Sequence, residues 1–143
     1  MTVHGMADRA VPVLDRAIAA ANKSGFEEIP LQLLIAKIRA LPGRAKGRDE
    51  ARRLLAATLA TAQKEEIAGA RADLLNLAGQ LAMEDRDLAS AERAFIRSGE
   101  ISKAADLPRS EAESMLQLSK AYLAGHEPRN AAAAIDLGIA LVQ

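Results

Sequence analysis

The sequence contains no cysteine. That absence removes disulfides, thiolate metal sites and cysteine nucleophiles together, and it fits a reducing compartment without requiring one. Aromatic residues are nearly as scarce: Phe26, Phe95 and Tyr122 make up 2% of the chain. Sheets draw on aromatic and β-branched side chains, so extended structure has little to build with. An excess of one charge is missing too. The 19 basic residues balance 19 acidic ones, which leaves no global pull toward nucleic acid or an anionic membrane. Long apolar runs are lacking: residues 33–36 and 131–135 are typical, far short of the roughly 20 that span a bilayer. Near the amino terminus Asp8, Arg9, Asp15 and Arg16 interrupt the stretch that a signal peptide would keep apolar. These features predict a soluble, cytoplasmic chain.

Motifs for chemistry are absent in the same way. There is no phosphate loop, dinucleotide fingerprint or zinc-protease pattern. His4 falls in a tail and His126 in a turn, and the carboxylates of Glu65-Glu66 and Asp85-Asp87 fall at helix ends, where they act as caps and solubilising charges. No catalytic residue, cofactor or metal site is expected. One basic cluster, Arg39, Arg44, Lys46, Arg48, Arg52 and Arg53, has the charge to touch phosphates. Asp49 and Glu50 sit inside it and no aromatic platform accompanies it, so a solvated loop and helix face is the plainer reading.

What the chain does have is alanine, leucine, arginine and glutamate, all strong helix formers, in a length that suits one domain. It also matches itself at a spacing of 40 residues. Ala131 meets Ala91 and Ala51; Ile135 meets Phe95 and Leu55; Gly138 meets Ser98 and Thr58; Leu118 meets Ala78 and Ile38; Met115 meets Leu75 and Ile35. The register keeps apolar on apolar and small on small, whereas a spacing of 34 sets Leu118 against Glu84 and Ala131 against Arg97.

Each unit reads as two amphipathic helices and a short turn. Asp87 suits the N-cap of one helix, and Ser110-Glu111-Ala112-Glu113 has capping-box form after Pro108. Gly125 should end that helix and Pro128 should open the next. Pro30 and Pro42-Gly43 bracket a helix in the first unit. A leading helix over residues 7–23, closed by Ser24-Gly25, carries Pro12 in its first or second turn. The expected plan is a single domain with repeats at about 28–66, 67–106 and 109–142. Gly79, Ser119, Ala51, Ala91, Ala131, Ser98 and Gly138 supply the small contacts that let helices approach, while Leu55, Phe95, Ile135 and Tyr122 fill the spaces between hairpins.

On these residues the chain resembles the tetratricopeptide repeat family over residues 30–141. The second unit carries the likeness best, with Leu75-Asn76-Leu77-Ala78-Gly79, Asp87-Leu88-Ala89-Ser90-Ala91 and Phe95; the third adds Leu118-Ser119-Lys120-Ala121-Tyr122, Ala131 and Ile135. The spacing of 40 is like the long variety of the repeat, since the usual period is about 34. The resemblance implies an all-α fold of about seven helices, antiparallel hairpins stacked as a right-handed superhelix.

It also implies a scaffold for protein or peptide partners, the sensor or docking part of a larger regulator, with a groove lined by the first helix of each unit. The positions that correspond are Leu33, Ala36, Lys37 and Ala40, then Asp73, Asn76, Leu77, Gln80 and Met83, then Glu113, Leu116, Gln117, Lys120 and Leu123. Asn76 and Gln80, one turn apart, have amides suited to a bound backbone. The lysine and asparagine clamp with which some members grip acidic tails is met only by Lys120 in charge, so a mixed polar and apolar peptide is the better guest. Self-association is the alternative. The chain stops at Leu141-Val142-Gln143 without the polar helix that closes most solenoids. The last helix pair should therefore expose an apolar outer face, covered by a twin, further chain or the partner. A regulatory role near nucleic acid through the basic cluster is a third possibility.

Overall fold

The helix formers that dominate the composition act as expected. In a computed structural model, which describes residues 3–24, 28–43 and 47–143, the described residues form seven α-helices and no strand. No helix among them is long and apolar enough to cross a membrane. The chain divides into two compact units, Met1–Glu65 and Glu66–Gln143.

The first unit holds α1 (Val3–Ser24), α2 (Glu28–Ala40), a 3-10 turn (Leu41–Gly43) and α3 (Gly47–Lys64). α2 packs on α1 and on α3, and the 3-10 turn touches all three. Its core is aliphatic: Val11 from α1, Leu31, Ile35 and Ile38 from α2, Leu41 from the turn, and Ala51, Leu55 and Ala62 from α3. Pro30 lies in the first turn of α2 and Pro42 just past its end, as expected. The leading helix differs from expectation. It starts at Val3 rather than residue 7, so Pro12 lies in the helix interior instead of its first two turns. A proline there gives the ladder no N–H, and its exposed position keeps the ring out of the core. Gly25, Arg44 and Lys46 lie outside the described residues.

The second unit repeats with a shorter beat. α4 (Ala68–Glu84), α5 (Leu88–Ala104), α6 (Pro108–Ala124) and α7 (Pro128–Leu141) start 20 residues apart. Each turn ends the same way: Glu66, Arg86, Asp106 and His126 all take left-handed backbone, with φ between 55 and 61°. After α4, α5 and α6 the next residue donates its N–H to a carbonyl five residues back: Asp87 to Ala82 at 2.9 Å, Leu107 to Ser102 and Glu127 to Tyr122 at 2.8 Å. Together with the bonds Arg86 to Met83, Asp106 to Lys103 and His126 to Leu123, these form Schellman endings. A side chain in this backbone region costs on the order of 1 kcal/mol per residue, and none of the four is glycine. Gly125 does end α6, but at φ −87°, and the left-handed place passes to His126.

The caps are equally specific. Asp87 caps α5 as expected, its Oδ1 accepting from the Ser90 N–H at 3.2 Å. The capping box does not form. α6 begins earlier, at Pro108 with Leu107 as N-cap, so Ser110 is already helical and its carbonyl accepts from the Ser114 hydroxyl at 3.0 Å.

Packing in this unit follows the small residues. A Cβ on Gly79 would stand 2.6 Å from Phe95 Cζ, so α5 approaches α4 only because residue 79 has no side chain. Ala91, Phe95, Leu118 and Ala121 form the core, with Ala82, Met83, Met115 and Tyr122 packed around them. Ala91 and Ala131, like Ala51 in the first unit, are fully buried. Of the expected fillers Leu55 and Phe95 are buried and Tyr122 is half-buried. Ile135 is the exception: it is 40% exposed, because the groove it lines is open.

Candidate functional site

α4 and α6 pack side by side in the second unit, so residues 73–83 and 113–123 are neighbours as the repeat predicts. Their availability is uneven. Glu113 and Lys120 are exposed, and Asp73, Gln80, Met83 and Gln117 are half-buried. Met83 packs against the Phe95 core, and Gln117 Nε2 donates to Glu113 Oε1 at 2.9 Å. Lys37, in the first unit, is bound to Asp15 of α1 at 2.7 Å. Leu77 is buried and Asn76 is only 6% exposed.

Asn76 therefore requires a correction. Its amide does not lie beside Gln80 on an open surface; it belongs to a buried polar chain that joins three helices. Ser98 Oγ on α5 donates to the Ala72 carbonyl of α4 at 2.9 Å, and it lies 2.8 Å from Ser114 Oγ on α6. Ser114 Oγ in turn lies 3.3 Å from Asn76 Oδ1. Such groups are stabilising only when they find one another, because an unpaired buried hydroxyl or amide costs about 1–3 kcal/mol. The asparagine that looked like a ligand for a guest holds α6 in place.

The open surface lies one helix further on. Between α6 and α7 is a groove of about 420 Å³. α6 contributes Arg109, Ala112, Glu113 and Leu116; α7 and its end contribute Ile135, Gly138, Ile139 and Val142. Glu113 and Leu116 are the two expected groove residues that the structure brings to it. Leu116, Ile135, Ile139 and Val142 are all large, apolar and exposed, as anticipated for the outer face of the last helix pair. Gly138 adds no side chain to the groove, although a Cβ there would make only ordinary contact with Met115 Cβ at 3.5 Å and the Ala112 carbonyl at 3.6 Å. The charged groups, Arg109 and Glu113, stand one turn apart on α6. This lining, apolar apart from Arg109 and Glu113, favours the burial of an apolar guest.

The lining residues of α7 were missed as site residues, although the repeat held the signal. Ile135, Gly138, Ile139 and Val142 stand 40 residues after Phe95, Ser98, Gly99 and Ser102, which face the next helix or the core in their own hairpin.

Titratable groups cluster elsewhere. Burial raises the Glu92 carboxyl above its ordinary range, with a further rise from the nearby Glu127 carboxylate. The Tyr122 phenol is raised by burial and then by Glu92 and Glu127. Asp87 is lowered by its hydrogen bonds from the side chain and backbone of Ser90. In the basic cluster Arg52 pairs with Asp49 at 3.3 Å, so part of that charge is already answered within α3.

No protein-family model and no curated protein matches this sequence.

Proposed function

We propose that the chain is a tetratricopeptide-like scaffold that binds a protein partner in the cytoplasm, serving as the docking part of a larger regulator, and that the partner occupies the α6–α7 groove. The observation that supports this reading is the concentration of exposed large apolar residues on one helix pair. Leu116, Ile135, Ile139 and Val142 surround a single concavity, while the polar side chains that resembled peptide ligands are partly committed within the fold. Burying such a surface is favourable by roughly 25 cal/mol per Å², and contiguous apolar patches of this kind mark contact sites.

The test compares the chain with its Ile139→Glu variant in affinity capture followed by cross-linking. Ile139 is 49% exposed, so the charge does not enter the core and far-ultraviolet circular dichroism should be unchanged. Cross-links are expected on α6 and α7, with the captured protein lost in the variant. Undiminished capture by the variant would remove the groove from the reading.

A further inference from the structure

We infer that the occupant of the α6–α7 groove is a single amphipathic α-helix of the partner, lying on α6 and α7 as α6 lies on α4 and α5. The inference rests on the reading that this groove is the docking site. Its basis is the repeat itself: the groove continues, one repeat on, the interface by which α4 and α5 hold α6.

One repeat earlier the guest is visible. Ser98 and Asn76 bracket Ser114 of α6, at 2.8 and 3.3 Å. Gly99 admits Met115: a Cβ at residue 99 would stand 2.9 Å from Met115 Cε. Forty residues later these three places hold Gly138, Leu116 and Ile139, all of which line the groove. The two helix pairs are framed alike, each joined by a three-residue turn with left-handed backbone at Arg86 or His126.

The frame is thus repeated with its chemistry changed, and the change specifies the guest. Leu116 and Gly138 offer no side-chain acceptor where Asn76 and Ser98 received a hydroxyl, so a serine at the matching place on a guest would be buried unpaired. The smaller Gly138 leaves room for a larger apolar side chain there. Ile139 fills the space that Gly99 left for methionine, so the following guest residue must be small. Where α6 reads Ser114-Met115, the guest helix carries a large apolar residue followed by alanine or glycine. Its polar side stays in water above Arg109 and Glu113. A second copy of the chain is the competing occupant, since α7 carries Leu137-Gly138 and Ile139-Ala140 with both large residues exposed, and light scattering separates the two.

The probe is a labelled peptide of the α6 sequence, Pro108–Ala124, carrying Ser114→Leu and Met115→Ala, titrated against the intact chain by fluorescence anisotropy. Saturable binding is expected, about tenfold or more tighter than for the unsubstituted peptide, since one unpaired buried hydroxyl is worth that much. Binding should vanish with Ile139→Glu in the chain, and with Gln117→Pro added to the peptide to break its helix. Equal affinity of both peptides, or no binding by either, overturns the inference. Retained binding of the proline peptide assigns the groove to an extended segment. A dimer seen by light scattering and dissociated by Ile139→Glu assigns it to a second copy; either result refutes the partner helix. If Ile139→Glu abolishes partner capture while neither peptide binds, the docking site stands and the helical guest falls.

Discussion

Two grooves in the second unit share one backbone plan and have opposite fates. The groove on α4 and α5 is filled by α6, and Phe95 beneath it is fully buried. The groove on α6 and α7 is open, and Ile135, in Phe95's place 40 residues later, is 40% exposed. The difference is not one of local helix propensity, since both positions lie in well-formed helices. It is one of tertiary cover. A repeat unit fixes where an apolar side chain points, but only the next helix determines whether water reaches it.

The sharpest way to break this comparison is to truncate the matched pair. Phe95→Ala empties a site beneath α6 and should cost about 3–5 kcal/mol. Ile135→Ala removes a side chain already in contact with water and should cost about 1 kcal/mol or less. Urea unfolding with an unchanged m-value measures both. Similar losses at the two positions would mean that Ile135 is covered in solution, and the open groove would have no basis.

A second substitution probes the approach of α5 to α4. Gly79→Ala pushes a methyl group into the Phe95 ring, and overpacking of this kind costs about 1–3 kcal/mol. Gly69→Ala, with nothing within 4 Å of the new Cβ, should be neutral or stabilising by up to about 1 kcal/mol. If the ring is the cause, Phe95→Leu should suppress the cost of Gly79→Ala in a double-mutant cycle. Additive costs would place the strain elsewhere.

The fold was legible in the sequence because its signals are cumulative. Alanine and leucine content, helical spacing and the recurring Ala51, Ala91 and Ala131 all point to packed hairpins, and the burial of those three alanines agrees. Among the features that escaped are the turn endings. Glu66, Arg86, Asp106 and His126 take left-handed backbone, and residues other than glycine give no compositional sign of it. The capping box at Ser110 failed because a proline at 108 fits the first turn of a helix as well as the loop before it. At the site, helical periodicity placed Asn76 on the inner helix α4 but could not reveal that Ser98 and Ser114, from two other helices, would close over it. Polar residues on an amphipathic stripe look alike in sequence whether they meet water or one another. The open groove was foreseeable only as an uncovered last pair; its lining follows from stepping Phe95, Ser98 and Gly99 forward by one repeat.

The smallest effect belongs to the turn before α7, where Glu92, Tyr122 and Glu127 meet. Glu92 is raised in the folded chain by burial and by Glu127, so the folded state holds its proton more tightly than the unfolded state. Stability from this group is therefore complete below the ordinary glutamate range and is lost as pH rises through the raised folded value. Glu92→Gln removes the charge and the titration together. The variant should melt slightly above the parent at neutral pH, and the gap should close as pH falls toward 4. Melting curves at several pH values decide it. A gap that grows on acidification would show Glu92 to be stabilised as a carboxylate, and would mean that neither burial nor Glu127 holds its proton in the folded chain.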